Sequence, residues 1–203
     1  MTDETQAPTT PDLVALVGSR MAHDLISPLG AISNGVELLG LTGQGDLPEL
    51  QLITESVENA NARIKTFRIA FGAAKSSQKV AESEIRSLLP SFAGRKLHVD
   101  WQPKGDPART DVKLAFLALM CLENAMPWGA DITVSHDDGA WRVTARAERQ
   151  KVDEDLWTLL TNPDAATTLE PKLVQFMLFG VEARHQSRAV TVNFSETGIE
   201  VVF

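Results

Sequence analysis

The sequence predicts an α+β protein, in which an N-terminal antiparallel helical hairpin forms a dimeric four-helix bundle and an α/β sandwich follows. Two observations lead to this prediction. Apolar residues recur at steps of three and four through most of residues 11–71, which is typical of amphipathic helices. After a polar linker at residues 75–79, helical segments alternate with segments typical of strands. We therefore divide the chain into a disordered leader (residues 1–10), a helical hairpin (residues 11–77) and an α/β part (residues 78–203).

The first helix is predicted to begin near Pro11 and to end about Leu41. Its apolar residues form a seam along one face, since they are spaced by three or four positions. Three glycines, at positions 40, 43 and 45, are expected to end the helix. The seam consists of Met21, Leu25, Leu29, Ile32, Val36 and Leu39.

The second helix is predicted to begin at Asp46, because a capping Asp is followed three residues later by Glu49, with Pro48 in the first turn. Its seam consists of Leu50, Ile53, Val57, Ala60, Ile64, Phe67 and Phe71. A lone hairpin leaves one side of these seams uncovered, so we expect a homodimer with a twofold axis along the bundle. Packing of the seam against the C-terminal half of the same chain is the alternative, and the length of the seam favours the dimer.

The remaining chain is predicted to form one sheet covered by helices. Two turn signals, Asp138-Gly139 and Thr197-Gly198, each separate a pair of strand-like segments and predict hairpins. We expect helices over residues 82–92, 111–126 and 170–185, and strands over residues 97–101, 132–135, 141–145, 189–194 and 199–203.

Composition narrows the class of partner. A formal net charge of −8 argues against nucleic acid or an anionic membrane as the main partner. The chain has one cysteine, Cys121, which lies in an apolar run and is expected to be a buried structural thiol. No stretch is apolar enough for a membrane span, and the N-terminus is polar. We therefore expect a cytoplasmic protein.

One histidine on the first helix is a candidate nucleophile. At 100° per residue, His23 lies about 160° from Leu25 and should point into solvent. One imidazole nitrogen can attack a phosphoryl donor if a partner holds the other in its N–H form. Asp24 is the nearest candidate for that partner, although adjacent residues do not face each other on a helix. Pro28 removes a helical hydrogen bond and is expected to kink the helix below His23.

Residues 23–32, His-Asp-Leu-Ile-Ser-Pro-Leu-Gly-Ala-Ile, resemble the H-box of the dimerisation and histidine-phosphotransfer domain of sensor histidine kinases. The resemblance implies that His23 is the phosphorylated residue and that Asp24 is its acid/base partner. It places Ser27 where the kinases have a Thr or Asn that helps to position hydrolytic water. Without the resemblance, the spacing supports only a dimeric helical bundle with an attached α/β domain.

The α/β part resembles a degenerate ATP-binding domain of the GHKL type found in those kinases. The run Leu-Glu-Asn-Ala at 122–125 is similar to the end of the N-box, whose last Asn (here Asn124) holds Mg²⁺, but Met120 stands where kinases carry a polar residue. Residues 146–150 replace the Asp-x-Gly-x-Gly turn, and residues 167–172 replace the Gly-x-Gly phosphate loop, with no glycine in either. Because close backbone approach to a triphosphate needs those glycines, we expect no nucleotide or metal cofactor of its own.

The whole chain resembles the alphaproteobacterial ChpT family of histidine phosphotransferases, which share the elements His-Asp-Leu-x-Ser-Pro and Gly-Ala-Ile-x-Asn-Gly-x-Glu-Leu-Leu, here residues 23–28 and 30–39. This implies a homodimeric phosphotransferase, distinct from an ATP-dependent kinase. It would relay a phosphoryl group from the receiver aspartate of a hybrid histidine kinase, through phosphohistidine, to response-regulator receivers in a cell-cycle type of phosphorelay. Mg²⁺ would come from the partner receiver.

The expected docking surface for receivers surrounds His23 and consists of Arg20, Ile26, Ser27, Gly30 and Asn34. Arg20, Ser27 and Asn34 are predicted to share the outward side of the helix with His23. Two alternatives to the phosphotransferase remain: a divergent active sensor histidine kinase, and a non-catalytic dimeric adaptor.

Overall fold

The computed structural model describes residues 10–42, 47–93, 96–165 and 168–203. Seven α-helices, five strands and a 3₁₀ turn are found in these ranges. The helices are α1 (Thr10–Thr42), α2 (Leu47–Ala70), α3 (Glu82–Leu88), α4 (Pro90–Ala93), α5 (Arg109–Ala125), α6 (Glu154–Thr161) and α7 (Val174–His185), and the 3₁₀ turn is Pro171–Leu173. The strands are β1 (Leu97–Trp101), β2 (Ala130–Asp137), β3 (Ala140–Arg146), β4 (Thr191–Ser195) and β5 (Gly198–Val202).

The predicted hairpin is confirmed, since α1 and α2 pack along each other. Gly40 lies inside α1 and does not end it, because the helix continues to Thr42. Residues 1–9 of the predicted leader, the glycines at 43 and 45 and the capping residue Asp46 lie outside the described residues.

The five strands form one sheet in the order β1-β2-β3-β5-β4. The β1 and β2 strands are parallel, and the other pairs are antiparallel. Asp138 and Gly139, between β2 and β3, both have positive φ (54° and 80°), as a tight hairpin turn requires. The buried valines Val134, Val143 and Val201 face one another across the central strands.

Helix α5 lies at the centre of the core and contacts α2, α7 and β3. Nearly every residue from 112 to 125 is buried, including Cys121. Burial raises the pKa of the Cys121 thiol well above its ordinary value, which outweighs the opposing charge of Arg20. The expectation of a buried structural thiol is confirmed. No helix in the described parts of the chain combines the length and apolarity that a bilayer crossing needs.

Three predicted elements differ from the structure. The helix expected over residues 82–92 is divided into α3 and α4, because Pro90 has no amide hydrogen with which to continue α3. The helix expected over residues 170–185 begins as a 3₁₀ turn at Pro171. The strand expected over residues 189–194 begins only at Thr191.

Helix α6 was not predicted. It is eight residues long and buries four large side chains, Leu156, Trp157, Leu159 and Leu160. The side chain of Asp153 caps it by accepting a hydrogen bond from the Leu156 amide at 3.4 Å. An acidic run directly before an apolar segment is a helix-start signal, and residues 153–155 carry one.

Packing of the hairpin against the rest of the same chain, the second alternative, occurs on part of its length. The beginning of α1 packs against the common hydrophobic cluster through Leu13, Leu16, Val17 and Met21. Further along, both helices expose large apolar side chains. These are Ile26, Leu29, Val36 and Leu38 of α1, and Leu50, Leu52, Val57 and Ile64 of α2.

Candidate functional site

The candidate nucleophile lies on the solvent side of α1. The side chain of His23 is 76% exposed, as the spacing from Leu25 predicts. Helix α1 continues through Pro28, which has no amide hydrogen to donate to the carbonyl of Asp24 four residues earlier. The histidine is therefore presented on a continuous helix.

Asp24 reaches His23 although the two residues are adjacent. The His23 Nδ1 atom lies 3.1 Å from Asp24 Oδ1. An ionised carboxylate can only accept a hydrogen bond, so in this contact Nδ1 carries the hydrogen. The lone pair of the neutral ring is then on Nε2. The arrangement leaves Nε2 as the nucleophilic atom of an exposed ring.

Arg20 is buried, and its prediction as an exposed docking residue is wrong. Its side chain is 5% exposed, and its Nε donates to Asp24 Oδ2 at 2.9 Å. Its Nη1 also donates to the backbone carbonyl of Lys172 in the 3₁₀ turn. The physical reason is that α1 packs against this turn and α7, which covers the side of the helix that Arg20 occupies.

The other four predicted docking residues are exposed. Ile26 is 67% exposed, and Ser27, Gly30 and Asn34 are also exposed. A side-chain carbon added at Gly30 would meet nothing within 4 Å. A polar cavity of about 390 Å³ adjoins the site between α1, α2 and α4, and it is lined by Asp24, Ser27, Pro28, Ala31, Ser56, Asn59, Arg63 and Ser91.

Residues 146–150 and 168–172, at the positions of the nucleotide-binding loops of kinases, contact other parts of the chain. Gln150 donates from its side chain to the carbonyl of Ser195 at 2.6 Å, and the Arg149 guanidinium lies 4.3 Å from the ring centre of Trp128. The 3₁₀ turn contacts α1. Met120 is buried in the core, whereas Asn124 is exposed near the end of α5.

The sequence did not predict the contact between Arg20 and the backbone carbonyl of Lys172, because a carbonyl has no signature in the sequence. Reasoning also placed Arg20 on the wrong side. A signal was available, since Leu13, Val17, Arg20 and Asp24 follow one another at steps of four, three and four along α1. The first two of these pack against the core, so the row predicts that the next two are covered as well.

Comparison with known proteins identifies relatives. The family model described as "Histidine phosphotransferase C-terminal domain" matches residues 82–198. The chain is 37% identical over 154 residues to the protein phosphotransferase ChpT of Brucella abortus (strain 2308), with 70% of each chain covered.

Comparison with solved structures also found matches. A structure titled as that of a bacterial phosphotransferase superposes with a TM-score of 0.78 at 26% identity, covering 98% of this chain and 99% of the other. The histidine kinase domain of a blue-light activated kinase from Erythrobacter litoralis EL346 matches with a TM-score of 0.45 at 15% identity, covering 95% of this chain and 91% of that one.

The family model and the identity to ChpT confirm the predicted resemblance. The α+β class, with a helical hairpin before a mixed five-stranded sheet, is also confirmed. The chain belongs to the histidine phosphotransferase family.

Proposed function

We propose that His23 accepts a phosphoryl group from the receiver aspartate of a hybrid histidine kinase and passes it to response-regulator receivers. The observation that carries the proposal is the contact between His23 Nδ1 and Asp24 on an otherwise exposed ring. A phosphoryl carrier needs a nucleophile that two different partners can reach in turn. A ring that is 76% exposed meets that requirement.

The transfer can be written as one displacement. The lone pair on Nε2 of His23 forms the bond to phosphorus, the O–P bond of the aspartyl phosphate breaks, and its electron pair leaves with the receiver carboxylate. The proton on Nδ1 stays, and Asp24 stabilises the positive charge that develops on the ring. Mg²⁺ bound by the receiver neutralises phosphoryl oxygens. Transfer to the second receiver is the reverse displacement.

The chain uses no nucleotide in this proposal. Residues 146–150 and 168–172 hold no glycine. Backbone groups of both segments bind other parts of the protein, since the Ala147 amide donates to the Thr197 carbonyl at 2.9 Å and the Lys172 carbonyl accepts from Arg20. Close approach of a backbone to a triphosphate is favoured by glycine-rich loops, which these segments lack. This distinguishes the proposal from the divergent kinase, and the Asp24 contact distinguishes it from the non-catalytic adaptor.

Two incubations test the proposed function. With a phosphorylated receiver domain, we expect phosphohistidine at position 23, identified by mass spectrometry at neutral pH. With ATP and Mg²⁺, we expect none. Phosphorylation of His23 from ATP would favour the divergent kinase. No phosphohistidine from any of a panel of phosphorylated receivers, with binding retained, would favour the adaptor.

We also propose that the protein is a homodimer and that it resides in the cytoplasm. The exposed apolar residues of α1 and α2 support the homodimer, because a second copy that covers them removes apolar surface from water. Light scattering should therefore give twice the mass of one chain. A monomer at micromolar concentration, or recovery of the protein with membranes on cell fractionation, would contradict this part of the proposal.

Gly30→Ala is expected to raise stability and to lower transfer. Gly30 follows His23 by seven residues, so it lies on the same side of α1 about two turns away. In an exposed helix interior, Ala in place of Gly stabilises by about 1 kcal/mol. An added methyl group would hold a docked receiver away from the ring, and we expect a several-fold slower transfer from a phosphorylated receiver.

Gly18→Ala is the matched control, because Gly18 also lies in α1 with nothing within 4 Å of an added carbon. It lies about 140° from His23 around the helix, outside the proposed docking surface. Thermal unfolding should show a gain in both variants, and only Gly30→Ala should slow transfer. Equal transfer rates in the two variants would remove Gly30 from the docking surface.

A further inference from the structure

We propose that Arg20 is a positioning residue that fixes Asp24 against His23 and thereby sets which ring nitrogen of His23 carries the hydrogen. The inference rests on the proposed function, in which His23 is the phosphoacceptor. It assigns Arg20 a role other than the receiver docking that the sequence predicts. It also gives the α/β part a contribution to the transfer step that needs no nucleotide.

The proposal begins from a continuous series of contacts. The backbone carbonyl of Lys172 accepts a hydrogen bond from Arg20 Nη1, and Arg20 Nε donates to Asp24 Oδ2 at 2.9 Å. The other carboxylate oxygen, Oδ1, lies 3.1 Å from His23 Nδ1. Each oxygen of Asp24 therefore has a different partner, and rotation of the carboxylate would break both contacts.

The contact between Arg20 and Asp24 is buried, whereas the His23 ring is exposed. The side chains of Arg20 and Asp24 are 5% and 3% exposed, whereas that of His23 is 76% exposed. A buried carboxylate is costly without a cation and hydrogen-bond donors, and the Arg20 guanidinium supplies both. The planar guanidinium also presents its donors in fixed directions, so one side chain reaches the carboxylate and the carbonyl together.

The second contact of Arg20 joins the site to the α/β part. Lys172 lies in the 3₁₀ turn Pro171–Leu173, which is closed by a hydrogen bond from the Leu173 amide to the Glu170 carbonyl at 2.9 Å. Helix α7 follows this turn directly. The guanidinium is thus fixed from the α/β part, and the ring of His23 is oriented through Asp24.

Removal of the guanidinium should release the carboxylate. Without Arg20, Asp24 has no cation in this series of contacts, and its side chain can turn toward solvent. It then no longer accepts a hydrogen bond from Nδ1, and the neutral ring can place its hydrogen on Nε2. A ring with hydrogen on Nε2 has no lone pair at the exposed nucleophilic atom.

The test compares Arg20→Gln and Arg20→Lys with the unchanged chain. Long-range ¹H–¹⁵N correlation spectra of protein labelled on histidine report the tautomer of His23, and phosphoramidate serves as a small phosphoryl donor. We expect Arg20→Gln to lower the Nδ1–H fraction and to slow phosphorylation by on the order of 10- to 100-fold. Arg20→Lys keeps the charge without the second contact and should be intermediate.

Lys113→Met is the matched control for a loss of stability alone. It removes an ion pair between α5 and α7, Lys113 Nζ to Glu182 Oε2 at 2.6 Å, whose side chains are each 14% exposed. The control should keep the tautomer and the rate. The proposal is overturned if Arg20→Gln retains both, or if Lys113→Met shifts the tautomer equally. Absence of phosphohistidine at position 23 in the unchanged chain would instead refute the proposed function, and the tautomer would still decide the role of Arg20.

Discussion

His23→Gln is expected to eliminate phosphoryl acceptance, with a loss on the order of 10⁴-fold or more, as removal of an essential catalytic group produces in other enzymes. Glutamine keeps a polar side chain but has no nucleophilic ring nitrogen. Since the His23 side chain is 76% exposed and its ring contacts the Asp24 carboxylate from the surface of α1, the substitution removes little packing. Transfer from a phosphorylated receiver to the purified variant measures the loss.

The matched control is His98→Gln, since His98 is exposed on β1 in the α/β part. That variant should transfer at the rate of the unchanged chain. Far-ultraviolet circular dichroism and thermal unfolding should coincide for the two variants. A His23→Gln protein that still forms an acid-labile phosphoramidate at another residue would refute the assignment of the phosphoacceptor.

Gly180→Ala is expected to be strongly destabilising. Gly180 of α7 lies against α6, and a carbon added there would be 2.0 Å from the backbone carbonyl oxygen of Leu159. Backbone cannot move aside as a flexible side chain can, so α6 and α7 must separate. Overpacking of this kind costs about 3 kcal/mol, which lowers the melting temperature by roughly 6 to 12 °C in a domain of this size.

Thermal unfolding monitored by circular dichroism measures this effect, and Gly18→Ala is again the control, since its added carbon has open space. The Gly180→Ala protein that remains folded should still accept a phosphoryl group, because the atoms nearest the added carbon belong to Leu159 and Pro163. A melting temperature within about 2 °C of the unchanged chain would show that α6 is free to move away from α7.

The sequence predicts two kinds of element well. These are long helices with apolar residues repeated over many turns, and tight turns that need particular residues. Helices α1, α2 and α5 have apolar residues over many turns, and Asp138-Gly139 has the residues that positive φ requires. Helix α6 has only two turns, which is too short for a periodicity to stand out. Its formation depends on burial of Trp157 against Phe176 and Phe194, residues distant in sequence.

The sequence predicts one part of the candidate site and not another. The exposure of His23 follows from helix geometry, and the role proposed for it rests on the resemblance of residues 23–32 to a known motif. The burial of Arg20 did not follow, because one buried face was assigned to the whole of α1. In fact α1 contacts the 3₁₀ turn and α7 as well as α2, and the turn lies at Arg20, so the covered side changes along the helix. Only the tertiary structure shows that second contact.

The hydrophobic cluster shared by α2 and the α/β part has a consequence for how the protein unfolds. Phe67, Ile69 and Ala70 at the end of α2 are buried together with α5 and the sheet, across the polar linker at residues 75–79. The sequence pattern changes at the linker, but apolar side chains from both sides of it are buried in the same hydrophobic cluster. The helical hairpin and the sheet are therefore parts of one cooperative unit, and shortening the chain at the linker would place buried aromatic surface in solvent.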